Sequence, residues 1–117
     1  MRHPCQAGAF YAGTAQSLKT QIEGCFTHHA GPGKLPAVQE IGPRNIVGLV
    51  CPHAGYRYSG PVAANAYYYL AADGKPDVII ILGPNHTGRG SALALMSEGT
   101  WRTPLGDVAI DTLIAQR

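Results

Sequence analysis

The chain has 117 residues, of which 14% are charged, and nine basic against seven acidic side chains leave a net charge of +2. This length allows one domain rather than two, and without a basic run or stripe nucleic-acid binding is not expected. No apolar run approaches the roughly 20 residues that a membrane span needs, and the three cysteines form no CxxC pair. We therefore expect a reduced, cytoplasmic protein that does not contact membranes.

The first predicted helix follows an irregular arm at residues 1–13. Thr14 is a suitable N-cap, and the apolar side chains behind it recur at the spacing of one helix face: Leu18, Ile22, Cys25 and Phe26. Gly31-Pro-Gly33 is expected to end this helix. Residues 31–44, rich in glycine and proline, then form a linker.

Residues 45–60 are the most informative stretch, because an apolar run is followed there by a polar loop and a helix start. Residues 46–51 predict a buried strand, and His53 lies in the loop that follows. A helix is expected to begin near Ser59, with Pro61 in its first turn, where the missing N–H has no cost.

A second strand is predicted at residues 77–82, after the helix stops at Asp73-Gly74. The run from Val78 to Leu82 is apolar throughout, which is typical of a strand that is covered on both faces in a parallel sheet. Strand, helix and strand together form a βαβ unit. The predicted fold class is therefore α/β, a mostly parallel sheet with flanking helices.

Weaker elements complete the chain. Residues 92–96 are a weaker strand candidate, residues 101–106 read as a turn, and residues 107–110 as a short strand. Asp111 is a plausible N-cap for a last helix, inside which the sequence stops. We expect residues 1–117 to be a single α/β domain that is an N-terminal fragment of a longer domain, and a frayed C-terminal helix is the alternative.

Two histidines, His53 and His86, follow the two predicted strands at equivalent points. The carboxyl ends of parallel strands share one edge of a sheet, so the two imidazoles are expected to converge. Neutral imidazole is a good ligand for zinc, copper, iron and nickel, and the pair therefore predicts a metal site. Asp107 or Asp111 could supply a further ligand. The alternative is that each histidine is only a hydrogen-bonding loop residue.

Tyr56 and Asn85 lie beside the two histidines in turn-prone, polar loops. Each can hydrogen-bond a ligand or orient a histidine; alternatively, Tyr56 packs as a wall and Asn85 stabilises its own turn. The loop at residues 83–88 is a candidate anion cradle, although it lacks the Gly-Lys-Ser/Thr ending of a P-loop. Cys51 is interpreted as a small buried residue rather than a ligand.

Four segments of the sequence resemble the Memo family, whose prokaryotic members are called protein B of the AmmeMemoRadiSam system. They come in the family's order: Ala7-Gly-Ala-Phe-Tyr11, Pro52-His-Ala-Gly-Tyr-Arg-Tyr-Ser-Gly60, Leu82-Gly-Pro-Asn-His86 and Trp101-Arg-Thr-Pro-Leu-Gly106. The resemblance implies a fold related to the class III extradiol dioxygenases, an α/β sandwich with a metal pocket over the sheet edge. It also implies that His53 and His86 are histidines of that pocket.

Family members are more than twice as long as this chain. The resemblance implies that their remaining pocket residues, an aspartate, a further histidine and a cysteine, belong to a C-terminal half that is absent here. It further implies iron or copper binding with redox activity, or phosphopeptide recognition, and a radical-SAM protein as a partner.

Two functions of different classes are therefore expected. The first is a metal-dependent oxidoreductase or dioxygenase-like enzyme with His53 and His86 as catalytic ligands and with Tyr56 and Asn85 beside the substrate. Its cofactor is expected to be Fe(II), with copper, zinc or no metal in this truncated chain as alternatives. The second is a non-catalytic module that binds a peptide or an anion in the same pocket. The substrate is an unknown small molecule or peptide, and self-association of the chain is also expected.

Overall fold

Three helices and a two-stranded antiparallel sheet make up the computed structural model, which describes residues 1–117. The elements in chain order are α1 (Ala15–Thr27), α2 (Tyr56–Asp73), β1 (Thr100–Thr103), β2 (Gly106–Ala109) and α3 (Thr112–Ala115). Helices α1 and α2 pack against each other and contain most of the buried residues. The α/β fold class is confirmed at this level.

Helix α1 begins where its capping chemistry predicts. The Thr14 side chain accepts a hydrogen bond from the backbone N–H of Ser17 at 3.3 Å, which satisfies one of the free donors of the first turn. Leu18 is buried, and the other members of the predicted apolar face are half-buried. The helix ends earlier than predicted, at Thr27, because His28 already has extended backbone angles.

Helix α2 begins at Tyr56, three residues before the predicted start near Ser59. The backbone N–H of Tyr56 donates to the carbonyl of Phe10 at 2.8 Å, so the N-terminal arm binds one of the free donors of the first turn. Pro61 consequently lies in the second turn, where its missing N–H removes an intrahelical bond. The predicted end at Asp73 is confirmed, and Gly74 follows with φ of 110°.

The two predicted strands at 46–51 and 77–82 do not form a sheet with each other. No backbone hydrogen bond joins them, and the predicted parallel sheet is not confirmed. They nevertheless run in the same direction, because side chains connect both ends: Arg44 to Asp77 at 2.7 Å and His53 to His86 at 3.1 Å. Both contacts join residues 33 positions apart, so the register of the two segments is the same at each end.

A buried carboxylate holds the first of these segments against the end of α2. Asp73 accepts hydrogen bonds from the backbone N–H groups of Asn45, at 3.0 Å, and Ile46, at 2.8 Å. Its own carbonyl accepts from the backbone N–H of Arg44 at 2.9 Å. The linker is therefore fixed where it enters the loop that contains His53.

The hairpin of β1 and β2 shows that the turn predicted at residues 101–106 was partly wrong. Residues 101–103, predicted as part of a turn, lie in β1 and pair with β2 in the register Trp101 to Val108. The hairpin is stabilised by Arg102, whose guanidinium donates to both carboxylate oxygens of Asp107 at 2.9 and 3.0 Å. The weaker strand predicted at 92–96 does not form.

The N-terminal arm and the start of α3 are also held in place by hydrogen bonds. Arg2 donates its backbone N–H to the carbonyl of Thr100 at 2.7 Å and accepts from Arg102 at 2.9 Å, and its guanidinium lies 4.5 Å from the Trp101 ring centroid. Asp111 caps α3 as predicted, accepting from the N–H of Ile114 at 3.0 Å.

None of the helices has the length and apolar character that crossing a membrane requires.

Candidate functional site

The two loop histidines meet, as their equivalent positions predict. The Nε2 atoms of His53 and His86 are 3.1 Å apart, and the ring centroids are 5.2 Å apart with the planes inclined at 40°. Both rings are exposed. A hydrogen bond between the two rings requires a proton on the Nε2 atom of one ring and a free Nε2 atom on the other.

The donor set fits part of a metal site. Two ring nitrogens that each lie about 2.0–2.1 Å from one ion are about 3.1 Å apart when they subtend about 95–100° at it. Two ligands do not complete such a site, and no group of three or more histidine, cysteine or acidic side chains forms in the chain. Asp107 and Asp111 are engaged elsewhere, in the hairpin ion pair and the cap of α3.

Asn85 is occupied by its own turn. Its Oδ1 accepts hydrogen bonds from the N–H and hydroxyl of Thr87 and from the N–H of Gly88, and its Nδ2 donates to the carbonyl of Arg89. No hydrogen bond reaches His86 from this side chain. Its contacts therefore agree with the turn-stabilising alternative, and an orienting role for Asn85 stays a prediction.

Tyr56 lies in the wall of a cavity of about 700 Å³ between α1, α2 and the loop that contains His53. Its ring centroid is 5.7 Å from that of Tyr11, and it makes no hydrogen bond to either histidine. Most of the lining is apolar, and its titratable side chains include Cys25, Cys51, Tyr56 and Tyr67. The cavity was not predicted from the sequence, although the apolar faces of α1 and α2, which line it, could have indicated it.

Three side chains of the cavity wall have a raised pKa, which favours their neutral forms. Burial is the main cause that raises the pKa of Tyr56, with Tyr67, Cys25 and Tyr11 adding to it. Burial also raises the pKa of Tyr67, helped by Cys51, and that of the Cys25 thiol. The cavity beside His53 is therefore a largely apolar space.

These pKa shifts predict a loss of stability at alkaline pH. Because each folded-state pKa is raised, the unfolded chain releases these protons first, so stability is complete below the ordinary values and falls above about pH 9. The Tyr56→Phe variant should show a weaker fall, since it has no phenol to ionise. Urea unfolding from neutral pH to about pH 11 measures this.

The matched control is Tyr58→Phe, because Tyr58 is on the same helix and 79% exposed. This variant should keep the pH profile of the unmodified chain. A fall equally steep in the Tyr56→Phe and Tyr58→Phe variants would contradict the assignment of the alkaline transition to the cavity.

Comparison with known proteins identifies the family of the chain. The family profile described as "Memo-like protein" matches residues 2–117. The chain belongs to the Memo family. It is 57% identical over 116 residues to a MEMO1 family protein of Sulfurisphaera tokodaii, with 98% of this chain covered. It is 53% identical over 116 residues to one of Methanothermobacter thermautotrophicus, with 99% of this chain covered.

These Memo-family relatives are considerably longer than the chain. The matched segment covers 41% of each of the two proteins named above and 40% of a relative from Aeropyrum pernix that is 49% identical over 112 residues. No solved structure matches the chain. His53 and His86 thus lie in a segment that is less than half of a typical Memo protein.

Proposed function

We propose that this Memo-family chain supplies two imidazole ligands, His53 and His86, to a metal-dependent redox or dioxygenase-like site at the edge of a parallel sheet. The observation that carries the proposal is the 3.1 Å separation of their exposed Nε2 atoms. The equal register of the two segments that precede the histidines supports the parallel arrangement. In a family-length protein the sheet would belong to a sandwich like that of the class III extradiol dioxygenases, and the remaining ligands would come from outside this chain.

The residues of the chain have different roles in such a site. His53 and His86 hold the ion through Nε2, and Fe(II) is the preferred ion, with copper or zinc as alternatives. A bound iron supplies redox chemistry with O₂ in sites that combine two histidines with a carboxylate. The adjoining cavity, with Tyr56 in its wall, accommodates an uncharged, apolar part of the substrate and keeps water away from it.

A peptide-binding module without catalysis is the second candidate. It is favoured by the open, apolar cavity beside His53, which could accept an apolar side chain of a peptide. Recognition of an anion by the loop at 83–88 is less well supported. The N–H groups of Thr87 and Gly88 already donate to Asn85 and would have to be released first.

The metal proposal predicts that either histidine is needed for binding. Titration of the chain with Co²⁺, followed by visible absorption, should give an affinity that falls in both His53→Ala and His86→Ala. The loss should be at least the 10- to 100-fold that follows the removal of outer hydrogen-bond partners from a metal site, because a direct ligand is lost. Competition with Fe²⁺ under anaerobic conditions then ranks the two ions.

The chain contains its own control for this titration. His28 and His29 are a second exposed histidine pair with ring centroids 4.2 Å apart, and they are far from the two loops in sequence. The His29→Ala variant should bind Co²⁺ like the unmodified chain. The metal proposal is abandoned if the His53→Ala and His86→Ala variants keep their affinity, or if His29→Ala loses as much.

Catalysis is tested separately, on a complete protein. The family-length relative from Sulfurisphaera tokodaii, purified and analysed for bound metal, is assayed for O₂ consumption with added reductant. Consumption that depends on iron supports the enzyme, whereas metal binding without any O₂ consumption favours the binding module.

A further inference from the structure

A buried hydroxyl contacts the loop that contains His53. It belongs to Ser59, the fourth residue of α2, which is only 9% exposed and donates to the carbonyl of Ala54 at 3.0 Å. A helical serine ordinarily bonds the carbonyl three or four residues before it. Here the carbonyl of Gly55 already accepts the N–H groups of Tyr58 and Ser59. The hydroxyl therefore reaches one residue further, out of the helix and into the loop.

This hydrogen bond is the only one that the backbone of the loop makes. Among the N–H and C=O groups of residues 52–54, only the Ala54 carbonyl has a partner in the chain. The ring of His53 is exposed and its one hydrogen-bond contact is the Nε2 atom of His86. Backbone with so few hydrogen bonds opens easily. The position of the His53 ring therefore depends on the Ser59 hydroxyl.

The start of α2 does not depend on this hydroxyl. The N–H of Tyr56 donates to the carbonyl of Phe10 at 2.8 Å. Gly55 is buried, and a Cβ atom on it would lie 3.1 Å from the same carbonyl oxygen. Ala54 is exposed, so water can bind its carbonyl when the hydroxyl is absent. Loss of the hydroxyl should thus release the loop without unfolding the helix.

The loop of His86 has a support of its own. The Oδ1 atom of Asn85 accepts hydrogen bonds from the N–H groups of Thr87 and Gly88 at 3.1 and 3.0 Å. These bonds lie within one turn and do not involve α2. Removal of the Ser59 hydroxyl should therefore displace the ring of His53 and leave that of His86 in place.

From these contacts we infer that Ser59 is a positioning residue for the proposed metal site. By holding the Ala54 carbonyl, its hydroxyl sets where the neighbouring His53 ring presents Nε2 to His86. The inference rests on the proposed function, in which both imidazoles bind one ion. Such a site needs its ligands within about 0.5 Å and 10–20° of the binding geometry. A loop that samples other positions lowers the apparent affinity in proportion to the fraction of assembled sites.

The chain offers closely matched variants for a test. Ser59→Ala removes the hydroxyl and should keep the helix, because alanine has the higher helix propensity. Ser59→Thr and Ser59→Val have nearly the same shape and differ in the hydroxyl, and Ser59 borders the cavity, which has room for their methyl groups. Ser17→Ala is the control, since the Ser17 hydroxyl, in the first turn of α1, donates to the carbonyl of Thr14 before that helix at 3.2 Å.

The first measurement uses the metal-free chain. The ring centroids of His53 and His86 are 5.2 Å apart, so a nuclear Overhauser contact between their ring protons is expected at neutral pH. This contact should be lost in Ser59→Ala and Ser59→Val and retained in Ser59→Thr and Ser17→Ala. Urea unfolding of the same proteins establishes that each variant is folded under these conditions.

The second measurement is the Co²⁺ titration of the same five proteins. The affinity should fall about 10-fold in Ser59→Ala and Ser59→Val, at the lower end of the effect of an outer partner, because Ser59 acts through the backbone. Such a loss means that the site is assembled in about one tenth of the molecules. Ser59→Thr and Ser17→Ala should bind Co²⁺ like the unmodified chain.

Three results would overturn the inference. One is a ring contact that is absent from the unmodified chain or survives in both Ser59→Ala and Ser59→Val. Another is an affinity that falls equally in Ser59→Thr and Ser59→Val. The third is an unchanged affinity in Ser59→Ala when His53→Ala does lose Co²⁺. Failure of the metal proposal looks different, as an unchanged affinity in both histidine variants, and the ring contact still reports on Ser59 in that case.

Discussion

Replacement of Gly42 by alanine is expected to cost about 3 kcal/mol or more in the free energy of unfolding, at the upper end of the range for overpacking. A Cβ atom on Gly42 would lie 2.6 Å from the backbone nitrogen of Gly74 and closer still to the carbonyl of Asp73. These are backbone atoms, so no side-chain rotation relieves the clash. The linker would have to leave the end of α2.

The same displacement would break the hydrogen bonds around Asp73. The Arg44 N–H to the Asp73 carbonyl and the two N–H groups on the Asp73 carboxylate hold this junction, and each contributes about 0.5–1.5 kcal/mol, or more for the charged acceptor. Urea unfolding followed by circular dichroism measures the loss. Gly48→Ala is the control, because nothing lies within 4 Å of a Cβ atom there. Equal midpoints for Gly42→Ala and Gly48→Ala would contradict the prediction.

The contact between α1 and α2 predicts that Gly60→Ala lowers stability in the unmodified chain but raises it when Cys25 is replaced by alanine. Gly60 faces Cys25, and a Cβ atom on Gly60 would lie 2.5 Å from the Cys25 Sγ. The Gly60→Ala variant should therefore lose about 1–3 kcal/mol. In a Cys25→Ala background the nearest atom of residue 25 is its Cβ at 3.7 Å, an ordinary contact. There the same replacement should gain up to about 1 kcal/mol from the higher helix propensity of alanine.

The cycle separates this contact from any general intolerance of α2. Four proteins are compared by urea unfolding: the unmodified chain, each single variant and the double variant. The effect of Gly60→Ala on the free energy of unfolding should be more favourable in the Cys25→Ala background by about 1–4 kcal/mol, which is the coupling free energy. Additive effects would show that α1 and α2 are not held by Gly60 against Cys25. The Cys25→Ala variant alone reports the packing contribution of the thiol.

Local chemistry explains which elements the sequence could predict. The Thr14 and Asp111 caps and the stop at Asp73-Gly74 depend on side chains and backbone angles within a few residues, so composition and spacing are sufficient. The start of α2 was placed too late because Tyr56 donates to the carbonyl of Phe10. That contact is between distant parts of the chain and leaves no local trace.

The candidate site, like the fold, could be predicted only in part. Convergence of His53 and His86 could be predicted, because it depends only on two equivalent loops leaving segments that run in the same direction. A third ligand could not be found, since Asp107 is bound by Arg102 and no cluster of three ligand types forms. The predicted parallel sheet is not confirmed, because pairing of a strand depends on its neighbours in the fold and an apolar pattern alone does not show whether two segments pair.

The bridge between Arg2 and the β1 strand has a consequence for the order of folding. The hairpin joins residues that are near in sequence, and the α1–α2 contact of Cys25 with Gly60 closes a loop of intermediate length, whereas the bridge from Arg2 to Trp101 closes a loop of almost the whole chain. Loop-closure entropy rises with length, so the bridge gains stability only after the helices and the hairpin exist. The arm is thus the last part to be captured and the first to be released. Phe10 belongs to the same arm, so its release also frees the first turn of α2 beside the histidine loop.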